Sequence, residues 1–221
     1  MNKKLIAKIL GIVLCIEALC LLPPLGVAVF TRGTDTRAFL LSVAACLVCG
    51  LPLRRLCPQN RRLQTRDGYI AVLSLFGALP YALSGCCGYV DALFETVSGF
   101  TTTGASIFAS PSSLPRGILF WRALTQWMGG MGVLVLVLAL LPKLGEGSVN
   151  LMRAESPGPI SSKLLPRTND TAKMLYGIYT ALTVVQTLAL RVVGMPWFDA
   201  VTTSLTTIST GGFSVRDASI A

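Results

Sequence analysis

Residues Asp91–Ile107, DALFETVSGFTTTGASI, return 108 positions later as Asp199–Val215, DAVTTSLTTISTGGFSV. Without gaps, Asp91 falls on Asp199, Ala92 on Ala200, Thr102 on Thr210, Gly104 on Gly212 and Ser106 on Ser214. Most remaining pairs are conservative, such as Leu93 with Val201, Val97 with Leu205 and Ile107 with Val215. A segment used twice in one chain marks a structural unit used twice. Each copy has one layout: an acid, about ten mixed residues, hydroxyl residues, then glycine. This reads as a short helix ending in an extended turn that exposes backbone. Ten residues rise only about 15 Å, half of the ~30 Å core of a bilayer.

The length of that helix matters because the rest of the chain belongs in a membrane. Of its 221 residues 13% are charged and 52% hydrophobic, against roughly 25% charged in soluble domains. Apolar runs cover Leu5–Phe30 (interrupted by Pro23 and Pro24), Ala38–Leu53, Gly68–Gly85, Gly117–Leu141 and Thr171–Val193. The basic start before the first run could serve a signal peptide, but the run is long and no small-residue cleavage site stands out, so a retained span is expected. Trp121 and Trp127 lie in the first half of the strongest run, where interface aromatics belong. Gly129, Gly130 and Gly132 thin the same helix and admit a neighbouring backbone. Pro142–Asp170 is polar and proline-containing, and reads as an irregular connection.

The net charge of +9 sits in blocks between apolar runs, which is a mark of topology and not of nucleic-acid binding. The segment up to Lys8, the loop Arg54–Arg66 and the segment Lys143–Lys173 hold thirteen Lys and Arg between them, and the intervening segments hold six. The positive-inside rule puts the three basic segments, and the N-terminus, in the cytoplasm. Both repeat helices then lie on the outer side, between a span that has emerged and one that must return. A half-length helix there dips in and comes back out.

Histidine is absent, which removes Ser-His-Asp and Cys-His nucleophile systems and most zinc sites. Cys46 and Cys49 form a C-x-x-C inside an apolar run, where buried small residues are expected. Cys86–Cys87, near the outer face, leaves a disulfide open. Arg122, one turn into a span, is expected to snorkel or to meet a loop carboxylate. Glu95 either adds negative potential near the loop or holds it through local backbone. Gln126 is expected to make a helix–helix hydrogen bond. Asp91 and Asp199 are expected to cap their helices. No span carries paired acids or a nucleophile with its base, so an enzyme is not expected.

Irregular backbone at membrane depth is tolerated where it is buried in protein or lines a watery cavity. Backbone carbonyls replacing the hydration shell of a cation supply a reason for TTTGAS and STGGFS to be there. Glycine reaches φ > 0 without steric cost, which lets successive carbonyls face one axis. Threonine and serine hydroxyls either add oxygens or brace the loop. The C-terminal end of each short helix carries partial negative charge, which favours a cation. The candidate filter residues are Thr101, Thr102, Thr103 and Gly104 in the first copy and Ser209, Thr210, Gly211 and Gly212 in the second.

DALFETVSGFTTTGAS, WRALTQWMGGMGVLVLVLALLP and YGIYTALTVVQTLALRVVGMPWFDAVTTSLTTISTGGFSVRDASI together resemble the Trk/Ktr/HKT superfamily of potassium transporters, on the side of the bacterial TrkH/TrkG membrane subunit. NLMRAESPGPISSKLLPR resembles the linker between that subunit's first two repeats. The resemblance implies an all-α membrane protein with an N-terminal helical hairpin followed by membrane–pore–membrane repeats. Residues 1–67 would be the hairpin and its cytoplasmic basic loop, 68–141 the first repeat, 142–170 a cytoplasmic connection and 171–221 a second repeat truncated after its filter. It implies potassium uptake across the bacterial inner (plasma) membrane, with K+ held at Thr102, Thr103, Gly104, Thr210, Gly211 and Gly212, and no organic cofactor on this chain. It also implies a homodimer and a cytosolic nucleotide-binding regulatory subunit resembling TrkA. Glycine at both filter positions is the potassium choice; in plant relatives serine at the first goes with sodium.

The family pore takes one filter strand from each of four units, and this chain supplies two. It is therefore expected to be part of a longer protein. The alternative is a non-conducting structural fragment or assembly partner of such a transporter.

Overall fold

The computed structural model describes residues 3–54, 73–132 and 168–218, and every regular element among them is helical. All but Arg54 of the basic loop expected over 54–66, residues 133–141 of the strongest apolar run and residues 142–167 of the connection lie outside the described residues.

Helices α1 (Lys3–Cys20) and α2 (Leu22–Phe30) make one bent stretch, of which Leu10–Phe30 is long and apolar enough to cross a membrane. The bend falls at Leu21 because Pro23 and Pro24 have no N–H to give the preceding turn. They occupy the first turn of α2, where no N–H is required. The ladder continues around them, with the Leu21 N–H donating to the Glu17 carbonyl at 2.9 Å and the Leu25 N–H to the Leu21 carbonyl at 3.1 Å. Helix α3 (Thr36–Arg54) returns along α1. Gly50 makes their approach close: a Cβ there would lie 3.1 Å from Leu14 Cβ and 3.2 Å from the Gly11 carbonyl oxygen.

Helix α4 (Leu73–Leu83) is interrupted at Ala78, ahead of Pro80. Helix α5 (Tyr89–Phe100) is the short helix of the first repeat copy, starting two residues before its expected acid. Helix α6 (116–132) opens the strongest apolar run. Helix α7 (Thr168–Val192) is a further candidate span over Met174–Val192, and α8 (Trp197–Ile208) is the short helix of the second copy, again starting two residues before its acid. Ile178, Leu182, Val185 and Leu188 of α7 are exposed, the surface a bilayer solvates.

The core gathers Leu21, Phe39, Tyr81, Ala92, Ile118 and Trp121, so the hairpin, α4, α5 and α6 share one interior. Trp121 corrects an expectation. It is wholly buried and donates its Nε1–H to the Gly77 carbonyl at 2.9 Å, where α4 bends. An indole needs a partner when buried, and a bent helix offers a free carbonyl. Trp127 likewise fastens helices: it donates to Thr183 Oγ1 on α7 at 3.0 Å, and the Tyr179 hydroxyl donates to the Trp127 carbonyl at 3.1 Å. Gly117, at the start of α6, abuts the Asp35 carboxylate, Phe39 and Ala28. The turn between α2 and α3 therefore lies at the same end of the bundle as the start of α6, as the charge pattern requires.

Candidate functional site

Both short helices end in the same way. The Thr102 N–H donates to the Gly99 carbonyl at 2.9 Å and the Thr103 N–H to the Ser98 carbonyl at 3.0 Å. In the second copy the Thr210 N–H donates to the Thr207 carbonyl at 3.0 Å and the Gly211 N–H to the Thr206 carbonyl at 2.9 Å. Each set is a Schellman cap, whose left-handed residue is ordinarily glycine. Here it is threonine, at φ 55 for Thr102 and φ 54 for Thr210. A β-branched residue pays steric energy in that region, and such strain persists where surrounding structure imposes it, often at functional positions. Two residues on, Gly104 and Gly212 have φ 77 and φ 83. No cis peptide occurs among the described residues. In a trans peptide the C=O points opposite to the following N–H, so the caps aim the Thr102 and Thr210 carbonyls away from their own helices.

The hydroxyls of the repeat brace the helices. Thr96 Oγ1 donates to the Ala92 carbonyl and, at the matching position, Ser204 Oγ to the Ala200 carbonyl, both at 2.7 Å. Thr101 Oγ1 donates to the Val97 carbonyl at 2.8 Å and Ser209 Oγ to the Leu205 carbonyl at 2.9 Å. Thr101 and Thr103 hydroxyls also meet at 2.8 Å. Ser106 and Ser214 each accept the N–H two residues on, from Phe108 at 3.1 Å and Arg216 at 3.0 Å.

The two strands lie side by side: a Cβ on Gly104 would run into the Gly211 carbonyl oxygen, whereas one on Gly212 would meet nothing within 4 Å. Helix α6 stands against both. Arg122, Gln126 and Gly129 recur at i, i+4 and i+7 and share one face. Gly129 lets α6 approach the Phe100 carbonyl at the end of α5, and Gly130 admits Ser209 and the Tyr179 hydroxyl at the end of α8. Gly132 has no such neighbour within 4 Å among the described residues.

Arg122 does not snorkel. Its side chain is 2% exposed, and its Nε donates to Glu95 Oε1 at 2.8 Å, with Glu95 0% exposed. Its other nitrogens donate to Ser106 Oγ at 2.9 Å and to the Ser214 carbonyl at 3.2 Å, one group from each pore loop. The guanidinium also lies 4.4 Å from the Phe213 ring centroid. Glu95 further accepts from Ser106 Oγ and the Ile107 N–H, each at 3.0 Å. The pair's bonds to Ser106, Ile107 and Ser214 tie it to both loops, which favours the reading of Glu95 as holding the loop. Among the described residues Gln126 bonds no helix. It reaches the second strand instead, donating to the Gly211 carbonyl at 2.7 Å and accepting from the Phe213 N–H at 3.1 Å.

Neither acid of the repeat makes a side-chain cap bond. Asp91 and Asp199 stand in the first turns of α5 and α8, where negative charge is favoured by the helix dipole. Asp199 pairs with Arg216 at 2.5 Å. The outer loops are joined by Ser112, which donates its hydroxyl to Asp217 Oδ2 at 2.5 Å and its N–H to Oδ1 at 3.1 Å. Those bonds, the hydroxyl's first, hold the Asp217 carboxyl below its usual 3.8. Cys86 and Cys87 are free thiols. Two buried acids, Glu17 and Asp35, have carboxylate oxygens with no hydrogen-bond partner among the described residues. A lone acid within an apolar run was the available signal for Glu17.

A family model described as TrkH, cation transport protein, matches residues 41–221. The chain is 42% identical over 233 residues to the Trk system potassium uptake protein TrkH of Halomonas elongata, covering 100% of this chain and 48% of that one. It is 41% identical to TrkH of Escherichia coli K12, again over 100% of this chain and 48% of the relative. Trk system potassium uptake protein TrkG of the same bacterium is 36% identical, over 98% and 47%. The crystal structure of the potassium transporter TrkH from Vibrio parahaemolyticus superposes with a TM-score of 0.80 at 35% identity, covering 100% of this chain and 46% of that one. The chain thus spans about half the length of the curated relatives it matches.

Proposed function

The chain belongs to the TrkH family of cation transport proteins, and from that membership we propose that it contributes two filter strands to a potassium-selective uptake pore. The observation that carries this reading is the pair of strands in one register. Threonine and then glycine have positive φ in each, and Gly104 of one strand lies against the Gly211 carbonyl of the other. Thr101–Gly104 and Ser209–Gly212 line the ion path, with K+ as the transported ion and backbone carbonyls in place of its water. Permeation requires no covalent step.

Residues 1–67 form the hairpin unit with its cytoplasmic loop, 68–141 the first repeat, 142–170 the cytoplasmic connection and 171–221 the second repeat as far as its filter. The N-terminus faces the cytoplasm of a bacterium, and the protein is multi-pass in the inner membrane. The relatives are named for a Trk system, which suits a homodimer working with a cytosolic nucleotide-binding regulatory subunit.

Growth rescue in low potassium tests the reading, in a bacterial strain without its own uptake systems. The 221-residue chain is expressed beside its native reading frame, with membrane levels followed by blotting. Rescue by the native reading frame, weakened in potassium preference by Gly104→Ser, is the expected result. Full membrane levels without rescue, with a regulatory subunit supplied, would favour a structural or assembly role.

A further inference from the structure

We infer that Gln126 is a specificity-determining residue, which sets the conformation of the second filter strand and with it the discrimination between potassium and smaller alkali cations. The inference rests on the filter reading above and adds to it a residue outside either pore loop. Gln126 is wholly buried on α6. Its Nε2 donates to the Gly211 carbonyl at 2.7 Å and its Oε1 accepts from the Phe213 N–H at 3.1 Å. The two bonded groups flank Gly212, so one primary amide fixes the peptide planes on both sides of that glycine. A neighbouring β-strand offers the same donor and acceptor to an extended chain.

Little else holds Gly212. Its φ of 83 is one that glycine adopts freely and leaves freely, and among the described residues no atom beyond its chain neighbours lies within 4 Å of the position of a Cβ there. With the Phe213 N–H turned to Gln126, the Gly212 carbonyl in the same trans peptide points away from α6. Cation discrimination by carbonyls depends on the number and placement of the oxygens, so freeing this plane loosens the choice of ion. The seat for the amide is tight: a Cβ on Gly211 would lie 2.8 Å from Nε2 and nearer still to the amide carbon and oxygen. Gly211→Ala therefore disturbs the clasp from the opposite side.

The test compares Gln126→Met, Gly211→Ala and the double variant with the parent, all expressed from the native reading frame. Potassium and sodium uptake are measured in washed cells and normalised to membrane level. With two hydrogen bonds lost, Gln126→Met is expected to lower the potassium-over-sodium ratio about tenfold, raising KM for potassium more than it lowers the maximal rate. Gly211→Ala is expected to act in the same direction, and the double variant to be no worse than the more severe single, because both break one clasp. Parental KM and ion ratio, within about twofold, in a fully expressed Gln126→Met would overturn the inference. So would additive effects, or the absence of both single variants from the membrane, which would assign Gln126 to folding. A parent that moves no potassium refutes the filter reading itself, a separate outcome.

Discussion

Behind the first pore loop stands the carboxylate of Glu95; at the matching place in the second repeat is Thr203. The backbones of the two loops agree in caps, in hydroxyl braces and in the sign of φ at Thr102 and Thr210, Gly104 and Gly212. Their supports do not agree. The first is held by a buried ion pair, Glu95 with Arg122, that ties the start of its return strand. The second is held by the neutral amide of Gln126 and by one bond from Arg122, with a half-exposed pair, Asp199 and Arg216, at its rim. Duplication thus preserved a backbone path and left each copy to find its own brace. That path is what a carbonyl filter needs, and the braces are set by whichever side chains lie beside each loop.

The contrast can be broken most severely at the ion pair. Glu95→Gln or Arg122→Leu leaves a buried charge without its partner, a loss of about 3–5 kcal/mol, and should remove folded protein from the membrane. Arg122→Lys keeps the charge but loses the planar fork, and should retain protein with reduced uptake. Blotting and thermal melts in detergent separate the two. Equal tolerance of Glu95→Gln and Thr203→Val would erase the asymmetry.

Next in size are the filter glycines. Both sites strain any L side chain, but Gly104→Ser must also displace the Gly211 carbonyl oxygen while Gly212→Ser meets open space. Potassium uptake should fall further for Gly104→Ser, and ion-competition uptake would reveal the reverse order if the strands do not abut.

Replacing the strained threonines comes third. Thr102→Gly and Thr210→Gly remove the Cβ from a left-handed residue and should each relieve about 1 kcal/mol of strain, partly offset by the lost hydroxyl. The melts should shift upward by similar amounts in the two repeats. A shift in one copy alone would show that the caps are not equivalent.

The smallest effects belong to the rim. Asp199→Asn removes a half-exposed pair worth up to about 1 kcal/mol, and its effect should fade in high salt. Asp217, lowered by its bonds to Ser112, contributes its tie above its ordinary 3.8 and loses it as pH falls through the depressed native value. Activity should therefore be flat with respect to this group from neutral pH down to mildly acidic pH, and Asp217→Asn should weaken the tie across that range, with the difference from the parent vanishing in strong acid.

Much of the fold was legible because it is written over short stretches. The offset of 108 residues aligned Gly104 with Gly212 before any coordinates, and it marked α5 and α8 as one short helix used twice. The same rules misplaced Trp121, because an aromatic near a span end reads as an interface anchor until the bent α4 is set beside it with the Gly77 carbonyl free. Local rules also favour glycine in a left-handed cap, so nothing in TTTG or STGG announced Thr102 and Thr210 as the residues of positive φ.

From sequence alone came a membrane protein with a doubled half-length helix, a glycine-bearing turn after each copy and a family resemblance that the comparisons bear out. Periodicity, composition and glycine chemistry act within about a dozen residues, and a linear reading reaches that far. The tertiary structure decided which groups hold the turns. Glu95 meets Arg122 across 27 positions, Gln126 meets Gly211 across 85 and Arg122 meets Ser214 across 92. Partners that far apart are chosen by helix packing, and here by Gly129 and Gly130, which let α6 come close enough for its side chains to reach both loops.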